Sequence, residues 1–333
     1  MTKALALLSG GLDSTLAVKV IQDQNIGVIG ISYTSPFFSS KKAEKAADML
    51  GIPLRIIDVS DEILEIVKEP KHGHGRFMNP CTDCHSLMVR KAGKLLEELE
   101  ASFVITGEVL GERPKSQNIN SLRIVEKESG IRGYLLRPLS AKLLEPTVAE
   151  NEGLVDRERL LAFKGRSRKP QFALAKEFGI NEFPTPAGGC LLTEEKFSLR
   201  LKDLLAEKDI PVRNDLDLLK WGRHFRSSEG AKVIVTRDQN EGEAVEALFL
   251  PADLVLQLTN IPGPTALVRG DNIGDATLTE AAALTARYSK ARGFDKVSVS
   301  YHSGDGKTAG SIEVKSALAS INSGQIKVAF IDQ

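Results

Sequence analysis

Along the first 180 or so positions, short apolar runs alternate with amphipathic stretches. Leu5-Ala6-Leu7-Leu8, Val28-Ile29-Gly30-Ile31-Ser32-Tyr33, Leu54-Arg55-Ile56-Ile57-Asp58-Val59 and Phe103-Val104-Ile105 have the continuity of buried strands. Helix patterns lie between them, over 15–21, 41–50 (stopped by Gly51), 61–67 (closed by Pro70) and 86–99. This alternation predicts an α/β fold, a doubly wound parallel sheet with helices on both faces, its ligand at the carboxyl ends of the strands. Leu122-Arg123-Ile124-Val125 and Tyr134-Leu135-Leu136-Arg137 are shorter apolar stretches, and the pattern predicts helices over 150–164, 171–178 and 194–207. Pro211 and the polar run Arg213-Asn214-Asp215 predict a domain junction within 208–215. The division is then 1–207 and 208–333. Beyond it, strand patterns at 233–235, 255–258, 266–268, 297–301, 312–314 and 326–330 surround one helix over 278–291. A second, smaller α+β domain is expected.

Composition narrows this picture in a few places. The 44 basic and 44 acidic side chains of the 333 residues cancel, so the chain is no polycation and a nucleic-acid partner must be held by local patches. Aromatics at 5% argue against a surface that binds mainly by stacking bases. No apolar run approaches the roughly 20 residues of a membrane span, so no membrane is expected. The first strand starts almost at Met1, which predicts no leader peptide and a cytoplasmic location. Three cysteines in a reducing compartment argue against a disulfide scaffold.

Candidate chemistry begins at Ser9-Gly10-Gly11-Leu12-Asp13-Ser14, between the first strand and the first helix. A strand, a glycine pair and a helix start surround one concavity with free N–H groups, which suits phosphate. Glycine there would let the anion approach the backbone. The lysine of the familiar ATPase loop is missing. Cys81-Thr82-Asp83-Cys84 has CxxC spacing before a helix, where amides and the helix dipole lower thiol pKa. Such a pair can be a redox couple, half a zinc site (His85 the nearest fourth ligand to Cys81, Cys84 and Cys190) or part of an iron–sulfur site. Three cysteines on a [4Fe–4S] cluster would leave one iron free for an exogenous group. Pro186-Ala187-Gly188-Gly189 could return Cys190 to the sheet edge, and three unrelated buried thiols are the plain alternative. His72 and His74, alternating with glycines, read as part of a basic loop rather than a metal site. Lys220, Arg223 and Arg226 form one basic cluster and Arg287, Lys290 and Arg292 another, both candidate RNA contacts. Arg166, Arg168 and Lys169 face either RNA or ATP phosphates.

The string Ser9–Ser14 resembles the PP-loop of the N-type ATP pyrophosphatases. Thr106-Gly107-Glu108-Val109-Leu110-Gly111 with Ser116-Gln117, and Leu136-Arg137-Pro138-Leu139, extend the likeness to the tRNA thiouridine synthetases, most closely the tRNA 4-thiouridine synthases, over about residues 1–205. That resemblance implies ATP and Mg²⁺, with Ser9, Gly10, Gly11, Asp13, Ser14, Tyr33, Thr106, Gly107, Ser116 and Gln117 at the nucleotide. Asn79-Pro80-Cys81-Thr82-Asp83-Cys84 is similar to the catalytic segment of the 2-thiouridine synthetases, Cys84 and Cys190 falling on their two reactive cysteines. Cys81 as a third is what the iron–sulfur-dependent subtype looks like. Residues 215–330 resemble the RNA-binding domain of the NFACT family through Lys220-Trp221-Gly222-Arg223-His224-Phe225-Arg226, Ile261-Pro262-Gly263-Pro264 and the segment 281–292. Read from Met1 to Gln333, the chain is expected to lack the N-terminal RNA-binding domain of the 4-thiouridine synthases and an appended persulfide-bearing rhodanese domain. The resemblance implies ATP-dependent uridine thiolation of tRNA: adenylylation of the carbonyl oxygen with loss of pyrophosphate, then attack by sulfide at a cluster held by Cys81, Cys84 and Cys190. Sulfide or another sulfur donor, tRNA and a homodimeric partner belong to that expectation. The alternatives are 2-thiouridine synthesis, a cluster-free persulfide route through Cys84 and Cys190, a PP-loop enzyme acting on a small molecule, and a non-catalytic RNA- or ribosome-binding protein.

Overall fold

The computed structural model describes residues 2–183, 189–271, 273–291, 294–315 and 329–331. The chain divides into two compact units, Met1–Thr193 and Glu194–Gln333. The first runs β1 (Lys3–Leu7), α1 (Leu12–Gln22), β2 (Gly27–Thr34), α2 (Lys41–Leu50), β3 (Leu54–Asp58), α3 (Ser60–Lys68), α4 (Cys81–Gly93), β4 (Phe103–Thr106), α5 (Ile119–Ser129), β5 (Leu135–Leu136), α6 (Val148–Asn151) and α7 (Lys169–Glu177).

Its five strands are parallel, in the order β3-β2-β1-β4-β5. β1 lies at the centre, with Leu5 opposite both Ile29 and Val104. Leu5, Phe103, Val104 and Ile105 are completely buried, which is why β1 and β4 read as unbroken apolar runs instead of alternating ones. The chain winds outward from β1 to β3 and then returns to β4 on the other side of β1. That reversal opens a crevice at the carboxyl ends of β1 and β4, the switch point where such sheets bind ligands.

Two segments differ from the sequence pattern. The apolar stretch at 122–125 belongs to α5, with Leu122 and Val125 on its buried face and Asn118 Oδ1 accepting from the Ser121 N–H as an N-cap. The helix expected over 150–164 shrinks to α6 and a 3₁₀ turn at Arg157–Arg159. Gly153 adopts φ of 70° there, and the N–H groups of Leu154 and Val155 both fold back onto Ala149 O, which stops the helix.

The second unit contains α8 (Glu195–Glu207), α9 (Arg213–Leu218), β6 (Arg223–Arg226), β7 (Lys232–Val235), α10 (Gln239–Glu246), β8 (Leu254–Leu258), β9 (Ala266–Arg269), α11 (Asp275–Arg287), β10 (Val297–Ser303), β11 (Ala309–Val314) and β12 (Ala329–Phe330). Its strands pair antiparallel in the order β11-β10-β8-β9-β7-β6-β12. Buried α11 residues, among them Ala281, Ala282 and Leu284, share a core with Val233, Val268 and Val299, while Leu218 and Val245 join Ile234, Val255 and Leu267 in a second cluster. The division into units comes before α8, where the polar run at 208–215 put the junction after it. Asp203 on α8 holds Arg226 at 2.6 Å, and Arg200 donates to the carbonyls of Leu219 and Gly222, so α8 packs with the second unit. Pro186-Ala187-Gly188, Arg292 and the strand positions 326–328 lie outside the described residues.

Candidate active site

The turn between β1 and α1 follows from two collisions that only glycine avoids. Gly10 has φ of 72°, and a Cβ on it would lie 2.2 Å from the backbone carbon and oxygen of Lys42. The close packing of α2 therefore demands this glycine. A Cβ on Gly107, directly after β4, would come within 2.4 Å of Ser14 N and 2.5 Å of Asp13 C. The two segments assigned to the nucleotide thus lie flush against each other, 93 positions apart in the chain. Gly11 is the N-cap of α1, and a Cβ there would meet only Ser9 Oγ, at 3.4 Å. Ser14 Oγ and Thr15 Oγ1 donate to Gly11 O, and Ser9 Oγ lies 3.2 Å from Ser14 Oγ, fixing the turn internally.

Polar atoms with unmet hydrogen bonds gather beside that turn. Arg168 Nη2 lies 3.4 Å from Asp13 Oδ2 and its Nε 3.8 Å from Glu112 Oε1, while Gln171 Nε2 donates to Glu112 Oε2 at 3.3 Å. Asp13 Oδ1, Arg168 Nε and Nη1, and Gln171 Oε1 are all buried without a hydrogen-bond partner. Buried polar atoms are nearly always paired, so a cluster of four marks a place for a polar ligand. Burial pushes the Asp13 carboxyl above its ordinary range, against the pull of Arg168 and Arg113. Glu112 is raised by burial and by the Asp13 charge, again opposed by Arg168 and Arg113. Arg168, offered by sequence as an RNA contact or a phosphate contact, is thus turned toward the loop, while Arg166 and Lys169 are exposed. Tyr33, assigned to the nucleotide by resemblance, is buried, and its hydroxyl donates to Met88 O at 2.6 Å and fastens α4 to β2.

The cysteines converge. Cys81 and Cys84 occupy the first turn of α4. Leu191 N donates to Phe37 O at 2.9 Å, and Thr193 Oγ1 donates to Cys190 O at 2.7 Å, which holds Cys190 beside the exit of β2. Cys84 is buried, and burial pushes its thiol well above the usual range, with Cys190 and Cys81 adding to the rise. Burial raises Cys81 too, against Arg113 and hydrogen bonds from Asn79 and Ser116. The helix start therefore does not lower these thiols as expected from sequence, because desolvation outweighs the dipole. Arg113 acts on Cys81, Asp13 and Glu112 alike, so one guanidinium stands in the field of both Cys81 and the glycine turn.

Histidines near the thiols are occupied elsewhere. His85 Nδ1 lies 2.9 Å from Glu108, which also accepts from Arg137 Nε at 2.9 Å and from Thr106 Oγ1 at 3.1 Å. His72 Nδ1 pairs with Asp83 at 2.6 Å, and His74 Nε2 meets Val67 O. Among the described residues, no three His, Cys, Asp or Glu side chains form a ready site for a single metal ion. Cys81, Cys84 and Cys190 form an all-thiolate donor set, the chemistry that an iron–sulfur cluster takes.

In sequence, Glu112, Arg113 and Gln171 went unassigned. The hint was that three charged residues, Glu112, Arg113 and Lys115, sit between Gly111 and Ser116 in a segment otherwise attributed to the nucleotide. Gln117 shapes this loop, its side chain accepting from Arg113 N and its carbonyl from Gly111 N. In the second unit, Lys220 pairs with Asp217 at 2.5 Å and Arg226 with Asp203 at 2.6 Å, so both are already neutralised. Arg223 stacks over Tyr288 at 4.4 Å and Arg287 over the same ring at 5.5 Å, and Lys290 is exposed.

A parallel sheet with a glycine turn at its switch point, lacking the P-loop lysine, defines a PP-loop nucleotide-binding fold. Residues 1–143 match the family described as thiamine biosynthesis protein (ThiI). Residues 222–322 match the NFACT protein RNA binding domain. The tRNA-specific 2-thiouridylase MnmA of Sulfurimonas denitrificans is 33% identical over 115 residues, covering 32% of this chain and 34% of that protein. The enzyme of the same name from Trichlorobacter lovleyi is 26% identical over 161 residues, 44% of this chain and 45% of its own. The chain thus spans less than half the length of these curated relatives. A solved 4-thiouridine synthetase–RNA complex with bound ATP is 22% identical and covers 54% of this chain and 52% of its own, with a TM-score of 0.35. The C-terminal part of the fibronectin/fibrinogen-binding protein from Streptococcus suis is 15% identical, covering 73% and 85%, with a TM-score of 0.28. Among the described residues, no helix is long and apolar enough to cross a membrane.

Proposed function

We propose that this protein is an ATP-dependent tRNA uridine thiolase that makes 4-thiouridine. The observation that carries this reading is the convergence of Cys81, Cys84 and Cys190 with one another and, through Arg113, with Asp13 of the glycine turn. ATP enters at the carboxyl ends of β1 and β4, its phosphates facing the amides of Gly11 and the start of α1. The unpaired Asp13 Oδ1 suits Mg²⁺, and the unpaired Arg168 nitrogens suit the departing pyrophosphate. The uridine carbonyl oxygen attacks the α-phosphorus, the α–β phosphoanhydride breaks and pyrophosphate leaves. The base then carries an AMP ester at a carbon that sulfide can attack, and AMP departs with the original oxygen. Cys81, Cys84 and Cys190 would hold a [4Fe–4S] cluster, which when bound supplies an open iron position for inorganic sulfide. The protein's share is to keep the two centres side by side, with Tyr33 and the Leu191–Phe37 bond holding the thiol-bearing segments. The likeness of Ser9–Ser14 and of the segment 106–117 to the 4-thiouridine synthases supports the 4-position, while the MnmA relatives keep the 2-position open as the second product. The NFACT-type domain supports RNA binding by the second unit, with tRNA as the substrate.

The test is anaerobic reconstitution of the full chain, incubation with ATP, sulfide and unmodified tRNA, and mass spectrometry of the nucleosides. ATP-dependent 4-thiouridine, lost in each of Cys81→Ala, Cys84→Ala and Cys190→Ala together with bound iron, supports the whole reading. Activity that survives Cys81→Ala without iron points to a persulfide on Cys84 or Cys190. A 2-thiouridine product corrects the position alone. No sulfur in tRNA under any of these conditions sinks the proposal.

A further inference from the structure

The second unit contains a cleft of about 690 Å³, well within the range of small-ligand pockets. One wall is Pro262-Gly263-Pro264, a second is the start of α10, and a third is Tyr288, Ser289 and Lys290 after α11. The α10 side carries Asp238, Glu243 and Glu246 together with Arg237, which Glu241 holds at 2.6 Å; Lys290 lines the Tyr288 edge, and Arg223 and Arg287 stack on the Tyr288 ring. Among the described residues, none of these last three has a carboxylate partner, whereas Lys220 and Arg226 of the same unit are both paired. Arg223 and Arg287 are held on the Tyr288 ring, and Arg287 also reaches Phe330 at 5.6 Å. Guanidiniums fixed by stacking lose little freedom on meeting an anion.

We infer that this cleft seats one unpaired nucleotide of RNA, its base against the Tyr288–Arg223 stack and the proline wall, its phosphate on Lys290 and Arg287. The inference rests on the reading that the second unit binds RNA. A duplex end is too broad and too charged on both edges for a cavity with acids on one side. A single extruded base has no charge and uses stacking, and the acids can accept from its exocyclic amino group. The acids also keep the phosphate at the cationic rim.

The experiment measures binding of the full chain to a fluorescein-labelled unstructured RNA oligonucleotide by anisotropy, with a duplex of the same sequence as competitor. Lys290→Glu should weaken binding about tenfold and flatten the log Kd against log salt slope by about one. Tyr288→Ala should weaken it by about the same factor. Lys220→Ala, at a paired surface position, should stay within about twofold, and the duplex should fail to compete. Lys290 is exposed, so its variant decides the matter even if Tyr288→Ala disturbs the fold. Undiminished binding by Lys290→Glu, or equal competition by the duplex, overturns the nucleotide seat and leaves RNA binding by this unit intact. No binding by the unaltered chain removes both.

Discussion

Arg168 Nη2 stands 3.4 Å from Asp13 Oδ2, joining the start of α7 to the first turn of α1 across 155 positions of sequence. Neither partner is satisfied by the other, since Asp13 Oδ1 and Arg168 Nε and Nη1 have no hydrogen bonds. Arg168→Ala is expected to slow ATP–pyrophosphate exchange about 100-fold, the scale of losing one donor to a developing anion. The affinity for tRNA should change less than about twofold. Arg168→Lys should recover part of the rate, because the charge returns without the fork. Equal losses in exchange and RNA affinity would count against the assignment.

Gly107→Ala tests how the two nucleotide segments meet. A methyl group there would run into the Asp13–Ser14 backbone, with Ser14 N at 2.4 Å. Backbone cannot rotate away as a side chain can, so the variant should lose about 1–3 kcal/mol of stability. Thermal scans with and without ATP should show the ATP-dependent rise in Tm falling away. Gly11→Ala, whose Cβ meets only Ser9 Oγ, should keep its stability and shows the contrast.

Glu108 gives a prediction in acid. Burial alone would raise its carboxyl, but Arg137 and His85 overcome this and bring it down from 4.5 to about 2. A carboxylate depressed on folding contributes stability that is complete above its unfolded value and fades as pH falls through the folded one. Between pH 4.5 and 2 the unaltered chain should therefore lose on the order of 3 kcal/mol from this residue. Urea midpoints at pH 7 and pH 3 should fall further for the unaltered protein than for Glu108→Gln. At pH 7 the variant should be the weaker by a similar amount, since Arg137 loses a buried partner.

Lys232 makes the opposite prediction. Burial lowers its amine from 10.5 to about 8, against the attraction of Asp203 at 3.3 Å and with further lowering by Arg226. Below pH 8 the folded state must keep a buried ammonium charged, which costs stability, and the cost disappears as pH rises from 8 to 10.5. Lys232→Met should therefore stabilise the protein at pH 7 by about 1–3 kcal/mol, while Arg226 still neutralises Asp203. The gain should shrink when unfolding is measured at pH 10. An unchanged or lower midpoint at pH 7 would refute the point.

How much of this was readable beforehand depended on the range of the forces involved. β1, β2 and β4 announce themselves because burial on both faces leaves a continuous apolar run. α5 was obscured because Leu122 and Val125 sit within a run that also suits a strand. The extent of α6 was missed because a left-handed Gly153 ended the pattern. In the site, Asp13 and the cysteines were visible as motifs, while Glu112, Arg113 and Gln171 take their importance from neighbours far away in sequence. The same holds for the basic clusters. Only coordinates separate Lys220 and Arg226, matched by nearby acids, from Arg223 and Arg287, which stack on a ring.

The bond from Leu191 N to Phe37 O sets an order of events during synthesis. Two thiols emerge early, on the helix that Tyr33 clamps, but the third leaves the ribosome more than a hundred positions later. A nascent chain that has exposed only Cys81 and Cys84 has two of the three thiols, so a centre that needs all three donors is completed only once Cys190 has emerged.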